Sequence, residues 1–241
     1  MMKDGISSAD KVTSFLMIGQ SNMAGRGEFG EVEPIRNKMC YMLRCGRWQT
    51  MSEPVNPDRP IFEGVYHSGV GLAASFADEY AKHTNSPIGL IPCADGGTSL
   101  SQWMPGEILY DHAVFMTKLA MRSSNFGGIL WHQGEEDCYE DKIDSYKENF
   151  IAMITQLRKE LGAESLPLLI GEISENIIPE RRNREYVQQL NRTFHEIAGK
   201  IPCCSVVSST GLTLKPDGLH FNSKSYREFG KRYFQCYLEQ S

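Results

Sequence analysis

Four short polar stretches of this sequence contain the residue types that serine-based catalysis uses. Ser21 follows a short apolar run, and Asp217 stands three residues before His220. A hydroxyl beside an imidazole that a carboxylate orients is the arrangement that activates a serine as a nucleophile. The other two stretches contain Gly96-Gly97 and Gln133-Gly-Glu135. Glycine backbone N–H groups and an amide side chain are donors that can bind an oxyanion.

Ser21 by itself is open to three interpretations. The apolar run Phe15–Ile18, which polar residues precede and Gly19 follows, predicts a buried strand that gives way to a short helical turn at the serine. A side chain at such a junction suits a nucleophile, but the free N–H groups of the turn equally suit a phosphate cradle, and serine is a common N-cap. The accompanying motifs, rather than the serine alone, favour the nucleophile.

The segment Pro216-Asp217-Gly218 is a strong turn signal. Residues three apart in a turn lie within about 7 Å of each other at their Cα atoms, so Asp217 is expected to orient the ring of His220. The other ring nitrogen of His220 is then expected to face Ser21 as the general base. This motif alone is a weak signal, and the serine motif strengthens it.

The expected oxyanion donors come from three places. The backbone N–H groups of Ser21 and Gly97 can approach a substrate closely, because glycine has no Cβ, and the side-chain amide of Gln133 adds a third donor. Two other interpretations stay open. Gly96-Gly97 also fits a plain turn, and Gln133 also fits a hydrogen bond within its own loop.

The rest of the chain alternates buried strands with amphipathic helices. Strands are predicted at Phe15–Ile18, Ile88–Cys93, Phe126–Trp131, Leu166–Gly171 and Cys203–Val207. Helices are predicted at 69–84, 107–122, 139–161, 182–198 and 223–238. The connections are long enough for parallel pairing, so the alternation predicts an α/β fold with a five-stranded parallel sheet covered on both faces.

The connections carry the polar stretches. Residues 26–38 are predicted to be loop, and Cys40–Met51 a β-hairpin outside the main sheet. Pro54, Pro57 and Pro60 predict an irregular excursion, which is either a long connection or a wall of a substrate pocket. In an open parallel sheet the loops after the strands gather at one edge, where ligands bind. We therefore expect the polar stretches to meet at that edge.

Composition and charge narrow the class of protein. The 241 residues contain no linker-like stretch, which predicts a single domain over 1–241. The net charge is −5 and basic residues are scattered, apart from Arg181, Arg182 and Arg184, so no nucleic-acid partner is expected. No run approaches the roughly 18 apolar residues of a membrane span, so no membrane partner is expected either.

Cysteine usage and the amino-terminal residues bear on location. The seven cysteines are scattered and form no C-x-x-C pair, which indicates reduced thiols rather than disulfides or a metal site. Residues 1–11 lack the apolar segment of a signal peptide. The expectation is a cytoplasmic location, or a secreted one if a signal has been removed.

The motif blocks resemble those of the SGNH hydrolase superfamily. The blocks are Gly19–Arg26 (GQSNMAGR), Gly96–Ser99 (GGTS), Trp131–Glu135 (WHQGE) and Asp217–His220 (DGLH). They are most similar to the branch that contains sialate O-acetylesterases and the family 6 carbohydrate esterases, including acetylxylan esterases. The blocks occur in the order of that family and span nearly the whole chain.

The resemblance implies a fold, a reaction and a set of roles. It implies a three-layer α/β/α sandwich with a flavodoxin-like sheet and a deacetylase that uses an acyl-enzyme and neither metal nor cofactor. Ser21 matches the nucleophile, His220 the base and Asp217 its acidic partner. In some members of the branch the glutamate that matches Glu135 has been proposed as that partner, so the two carboxylates compete, and the short spacing favours Asp217. Gly97 and Gln133 match the oxyanion donors, although the wider superfamily has Asn where this chain has Gln133.

Four further residues are candidates for substrate contact. Gln20 and Asn22 flank the serine, Arg26 either contacts substrate or braces the serine loop, and Trp103 either stacks on a sugar or packs in the core. The expected substrate is an acetylated sugar or oligosaccharide, of the acetylxylan or sialate type. The alternatives are a thioesterase or small-ester lipase on the same scaffold, and a carbohydrate-binding protein without catalysis.

Overall fold

The computed structural model describes residues 12–57 and 67–240. Residues 1–11, on which the expectation about a signal peptide depends, lie outside the described residues, as does Pro60 of the predicted excursion. Pro54 and Pro57 lie in irregular structure, as expected.

The strands are β1 (Val12–Gly19), β2 (Cys40–Arg44), β3 (Arg47–Thr50), β4 (Ile88–Pro92), β5 (Ser124–His132), β6 (Leu168–Gly171) and β7 (Cys204–Val207). Within the described residues, these seven strands form one sheet in the order β3-β2-β4-β1-β5-β6-β7. All neighbours pair in parallel except β2 and β3. The five strands predicted from the sequence are β1, β4, β5, β6 and β7. Their order, β4-β1-β5-β6-β7, is the flavodoxin-like arrangement.

The hairpin of β2 and β3 was expected outside the main sheet, and that expectation is wrong. Its turn is formed by Cys45 and Gly46, both with positive φ (51° and 72°), as a two-residue hairpin requires. Strand β2 also pairs in parallel with β4, so the hairpin extends the sheet to seven strands. The physical reason is burial: Met42 is 2% exposed and Leu43 is 3% exposed, so both faces of β2 need cover.

The helices are α1 (Ser21–Ala24), α2 (Leu72–Thr84), α3 (Ile108–Met121), α4 (Tyr146–Leu161), α5 (Arg184–Ala198) and α6 (Ser223–Leu238). The helix predicted at 139–161 begins later, at Tyr146, after a 3₁₀ turn at Ile143–Ser145. The other predicted helices are present, with ends that differ by up to three residues from those expected.

The core lies in two layers, one on each face of the sheet. Phe15 and Met17 of β1 pack with α2 and α6, whereas Leu16 and Ile18 point to the opposite face and pack with α3, α4 and α5. This alternation of side chains along a strand buries both faces of β1. The three-layer α/β/α sandwich expected from the sequence is therefore confirmed.

Two further properties follow from the described residues. All seven cysteines are free thiols. None of the helices within 12–57 and 67–240 combines the length and the apolar character that a membrane crossing requires.

Candidate active site

The turn between β1 and α1 presents Ser21 at the carboxyl edge of the sheet. Gly19 has φ +129°, and a Cβ at this position would overlap the carbonyl oxygen of His132 on the neighbouring strand β5. The same carbonyl accepts the backbone N–H of Gln20 at 2.9 Å. Only glycine allows this close approach, which turns the chain sharply and places Ser21 as the first residue of α1.

His220 and Asp217 lie beside this serine. Nε2 of His220 is 3.0 Å from Oγ of Ser21, and Nδ1 of His220 is 2.8 Å from Oδ2 of Asp217. The other carboxylate oxygen of Asp217 accepts the backbone N–H groups of Leu219 and His220, each at 2.9 Å. The turn predicted at 216–218 is present, with φ +67° at Gly218. The arrangement brings a hydroxyl, an imidazole and a carboxylate into one continuous hydrogen-bonded series.

Glu135, the competing carboxylate, has other partners. Its side chain is completely buried, and Oε1 accepts Nδ2 of Asn22 at 2.5 Å. The same oxygen lies 3.7 Å from Nδ1 of His132. Among the described contacts of His220, the carboxylate partner is Asp217 and not Glu135. Glu135 is therefore part of the structure beneath the serine rather than a neighbour of the candidate base.

Gln133 was expected to donate to an oxyanion, and the structure contradicts that expectation. Its side chain is completely buried. Nε2 donates to the carbonyl oxygen of Thr98 at 3.0 Å and to Oδ2 of Asp137 at 2.5 Å, and Oε1 accepts the hydroxyl of Tyr146 at 3.0 Å. Because an amide nitrogen has only two hydrogens, both are already used. Gln133 thus bonds to Asp137 within its own loop, the alternative left open by the sequence, and also joins this loop to the loop after β4 through Thr98.

Backbone donors remain for an oxyanion. A Cβ built on Gly96 would lie 3.7 Å from Cβ of Ser21, so this glycine passes directly beside the serine. Gly97, which follows, has φ +74° and is exposed. Within the described residues, the N–H groups of Ser21 and Gly97 donate to no protein acceptor. These two N–H groups are thus available to a bound molecule.

Two of the residues expected to contact substrate are core residues. Trp103 is 1% exposed, packs edge to face against Trp131 at 5.7 Å between ring centroids, and donates Nε1 to Oγ1 of Thr98. Gln20 is also 1% exposed, and its Oε1 accepts the N–H of Gly134 at 3.3 Å. The expectation of substrate contact is wrong for both, because neither side chain has a surface that a sugar can reach.

The other two candidates differ from each other. Asn22 is 1% exposed and protein partners occupy all four hydrogen-bonding positions of its side chain, so the expectation of substrate contact is wrong here too. Arg26 is half-buried, donates Nη1 to the carbonyl oxygen of Gly25 at 2.9 Å, and its Nη2 lies beside Gly96. Arg26 thus braces the serine loop at the rim of the site, and substrate contact by its guanidinium stays a prediction.

Several residues that shape the site were not found from the sequence. Oδ2 of Asp137 accepts hydrogen bonds from Nε2 of Gln133 and from the backbone N–H of Leu100, and the hydroxyl of Tyr146 donates to Oε1 of Gln133. Arg182 donates to the carbonyl oxygen of Glu135 and forms an ion pair with Glu136, and its guanidinium lies 4.9 Å from the ring centroid of Tyr139. The residue types alone gave no signal for a role in the site, because a tyrosine or an arginine on a helix or loop usually packs in the core or lies on the surface.

Burial and hydrogen bonds set the charges of the site. Partial burial acts to raise the pKa of Asp217, but the N–H groups of His220 and Leu219 and the His220 ring outweigh it, so the pKa lies below its usual value. Burial lowers the pKa of His132 and outweighs the opposing effect of Glu135. The lowered pKa favours a neutral imidazole. Burial raises the pKa of Asp137 despite its bonds to Gln133 and Leu100. Within the described ranges, no group of three potential ligands could hold a metal ion.

Comparison with known proteins relates this geometry to a family. A family model described as carbohydrate esterase, sialic acid-specific acetylesterase, matches residues 11–239. A probable carbohydrate esterase of Arabidopsis thaliana is 30% identical over 245 aligned residues, which cover 93% of this chain and 89% of that protein. The crystal structure of that Arabidopsis protein has a TM-score of 0.83 and 27% identity, with 95% of this chain and 98% of that chain covered.

Two more distant structures share the fold. The crystal structure of NanS has a TM-score of 0.71 at 16% identity and covers 95% of this chain and 97% of its own. A carbohydrate acetylesterase from Xanthomonas citri has a TM-score of 0.66 at 18% identity, with 93% of this chain and 55% of that chain covered. The sequence motifs, the sheet order and these likenesses agree on one three-layer α/β/α fold with a flavodoxin-like sheet.

Proposed function

Because this chain belongs to the sialic acid-specific acetylesterase family of carbohydrate esterases, we propose that it removes acetyl groups from the hydroxyls of sugars, with Ser21 as nucleophile. The observation that carries this proposal is the series Ser21–His220–Asp217, with 3.0 Å between hydroxyl and imidazole and 2.8 Å between imidazole and carboxylate. These are the distances that proton transfer from a serine to an oriented base requires.

In the first step, Oγ of Ser21 attacks the acetyl carbonyl carbon while Nε2 of His220 takes the hydroxyl proton. Asp217 accepts Nδ1–H of His220, which fixes the tautomer whose Nε2 is free to act as a base. The depressed pKa of Asp217 keeps this carboxylate ionised, so it stabilises the imidazolium that forms. A new C–O bond joins the acetyl group to the serine in a tetrahedral intermediate.

The negative charge of that intermediate needs donors that are already in place. The N–H groups of Ser21 and Gly97 are our candidates, since neither is used by a protein acceptor within the described residues. Removal of one donor of this kind typically costs about 10²- to 10³-fold in rate. The side chain of Gln133, the third donor expected from the sequence, is already bonded to protein groups, so backbone groups alone are proposed as donors.

In the second step, the imidazolium of His220 gives its proton to the departing sugar oxygen, and the C–O bond to the sugar breaks. Water then attacks the acetyl-serine with His220 again as base, and acetate leaves with regeneration of the Ser21 hydroxyl. Each proton that leaves a nucleophile therefore returns to a leaving oxygen through the same imidazole.

The test is acetate release from O-acetylated sialic acid and acetylated xylo-oligosaccharides by the wild type, Ser21→Ala and Ser123→Ala. Ser123 is an exposed serine that precedes β5, at the opposite edge of the sheet, and serves as the matched control. We expect Ser21→Ala to lose several orders of magnitude in kcat and Ser123→Ala to keep wild-type activity. Full activity of Ser21→Ala would refute the proposed nucleophile.

The same assay should include a long-chain ester and an acyl thioester as competing substrates. We expect higher kcat/KM for an acetylated sugar than for either, since binding energy from the sugar contributes to the transition state. A preference for the thioester or for the long acyl chain would assign the same catalytic groups to a thioesterase or a lipase.

A further inference from the structure

Asn22, the residue directly after Ser21, uses every hydrogen-bonding position of its side chain. Its Nδ2 donates to Oε1 of Glu135 at 2.5 Å and to the carbonyl oxygen of Leu219 at 3.3 Å. Its Oδ1 accepts the hydroxyl of Tyr226 at 2.6 Å and the N–H of Phe221 at 3.3 Å. The side chain is 1% exposed, so these contacts are made out of reach of bulk water.

Two of these partners stand on either side of His220 in the sequence. Asn22 donates to the residue before the histidine and accepts from the residue after it. The side chain of Ser21 meanwhile reaches the ring of His220. Neighbouring residues of α1 therefore hold the histidine segment at three points, one through the imidazole and two through the backbone. The serine and the histidine come from opposite ends of the chain, so a direct link of this kind fixes their separation.

Glu135 and Tyr226 fix the orientation of the Asn22 amide. A carboxylate can only accept a hydrogen bond, so Nδ2 must face Glu135, and Oδ1 is then the end of the amide that accepts the hydroxyl of Tyr226. Glu135 and Tyr226 are completely buried, which leaves the amide no alternative arrangement. The Nδ2–H bond to Leu219 and the N–H bond from Phe221 then follow from the same orientation.

We propose that Asn22 is a positioning residue, which holds Ser21 and His220 at hydrogen-bond distance by clamping the backbone on both sides of the histidine while Glu135 and Tyr226 orient its amide. This inference rests on the proposed function, since it assigns the clamp a role in serine catalysis. It also gives Glu135 a role that requires no contact with His220.

The first test compares Asn22→Ala with Asn191→Ala. Asn191 is a matched control, because its amide also bonds on both sides to backbone, to the N–H and carbonyl of Ile173, and it is 7% exposed on α5. We expect both variants to lose stability. Only Asn22→Ala should lose kcat, by about 10- to 100-fold in folded enzyme counted by active-site titration, with KM nearly unchanged.

The second test exchanges the amide of Asn22 with the carboxylate of Glu135. Asn22→Asp places a second carboxylate against buried Glu135 and should lose more activity than Asn22→Ala. The double variant Asn22→Asp/Glu135→Gln restores a hydrogen bond between positions 22 and 135 with the donor on the other side and keeps the charge of the pair. It restores the bonds from Phe221 and Tyr226 to position 22 but not the bond to the carbonyl of Leu219, because a carboxylate donates nothing. We expect it to recover at least about tenfold in kcat over Asn22→Asp. A role in stability alone would not produce such a recovery in kcat per folded molecule.

The outcomes separate the clamp from the proposed function. If Ser21→Ala retains activity, the proposed function fails, whatever Asn22 does. If Ser21→Ala is inactive but Asn22→Ala matches Asn191→Ala in kcat, only the clamp is overturned, and absence of recovery in the exchange overturns the orienting role of Glu135. If neither Asn22 variant folds, Tyr226→Phe carries the test, because it removes one bond to Oδ1 of Asn22: a lower kcat at unchanged KM supports the clamp, and a wild-type kcat overturns it.

Discussion

Asp217 binds His220 through both its ring and its backbone. One carboxylate oxygen lies 2.8 Å from Nδ1 of the ring, and the other accepts the N–H of the same residue at 2.9 Å. The carboxylate, the turn and the imidazole thus form one unit. The backbone N–H of His220 holds the carboxylate in place. Rotation of the ring away from Ser21 would therefore break the bond between Nδ1 and Asp217 that orients the ring.

This unit predicts different results for the two carboxylates of the site. Asp217→Asn should lower kcat by about 10³- to 10⁴-fold, because an amide nitrogen in place of the carboxylate oxygen favours the wrong tautomer of His220. Glu135→Gln should lose at most about tenfold, because the amide oxygen of glutamine still accepts Nδ2 of Asn22. The measurement is kcat on 4-nitrophenyl acetate, with folded enzyme confirmed by circular dichroism. Collapse of Glu135→Gln alone would make Glu135 the acid and overturn this assignment.

The depressed pKa of Asp217 also predicts how stability varies with pH. A carboxyl whose pKa is lower in the folded than in the unfolded protein stabilises the fold above its ordinary pKa of 3.8, and the contribution is lost as pH falls through the folded value. The difference in Tm between the wild type and Asp217→Asn should therefore be full at about pH 5 and shrink steadily towards about pH 3. Thermal unfolding across this range measures it, and a difference that grows on acidification would contradict the sign.

The sequence was most informative where chemistry is local. Asp217 and His220 lie in one turn, so their spacing predicted their contact. The meeting of Ser21 with His220 is a long-range contact, yet the rule that loops after parallel strands share one edge was enough to predict it. Five strands and a parallel sheet covered on both faces followed from the alternation of buried strands and helices, and the flavodoxin-like order was implied by the resemblance of the motif blocks.

The sequence was least informative about which polar side chains face inward. Gln133 and Asn22 have the residue types of ligand-binding groups, and the motif pattern placed them beside the serine. Their partners, such as Asp137 and Tyr226, come from other segments, and only the folded arrangement shows that their hydrogen bonds are already satisfied. The prediction that the hairpin at Cys40–Met51 lies outside the main sheet was wrong for the same reason, because the pairing of β2 with β4 is a contact between distant segments.

A substitution of Gln133 tests whether this residue supports the structure or donates to the oxyanion. Gln133→Leu keeps the approximate volume but leaves Thr98, Asp137 and Tyr146 without their buried partner, so we expect a loss of about 3 kcal/mol or more in the free energy of unfolding. In the molecules that remain folded, kcat should fall less than about tenfold, whereas loss of an oxyanion donor would cost about 10²- to 10³-fold. Urea unfolding and kcat per titrated active site separate the two. A stable variant with a hundredfold lower kcat would restore Gln133 as a donor.

Gly19 predicts a steep cost for a single methyl group. In Gly19→Ala the Cβ would overlap the carbonyl of His132 at φ +129°, so we expect a loss of more than about 3 kcal/mol in stability. Gly162→Ala is the matched control, because Gly162 also has positive φ, at 61°, but a Cβ there would meet nothing within 4 Å. Its expected cost is about 1 kcal/mol, from backbone conformation alone. Equal losses in urea unfolding would show that the serine turn is less constrained than its geometry indicates.

The activation of Ser21 by His220 can be measured through the rate at which a fluorophosphonate modifies the serine covalently. We expect one label per chain on the peptide that contains Ser21, no label in Ser21→Ala, and a rate at least about three orders of magnitude lower in His220→Ala. Labelling of another residue, or equal rates for the wild type and His220→Ala, would contradict it.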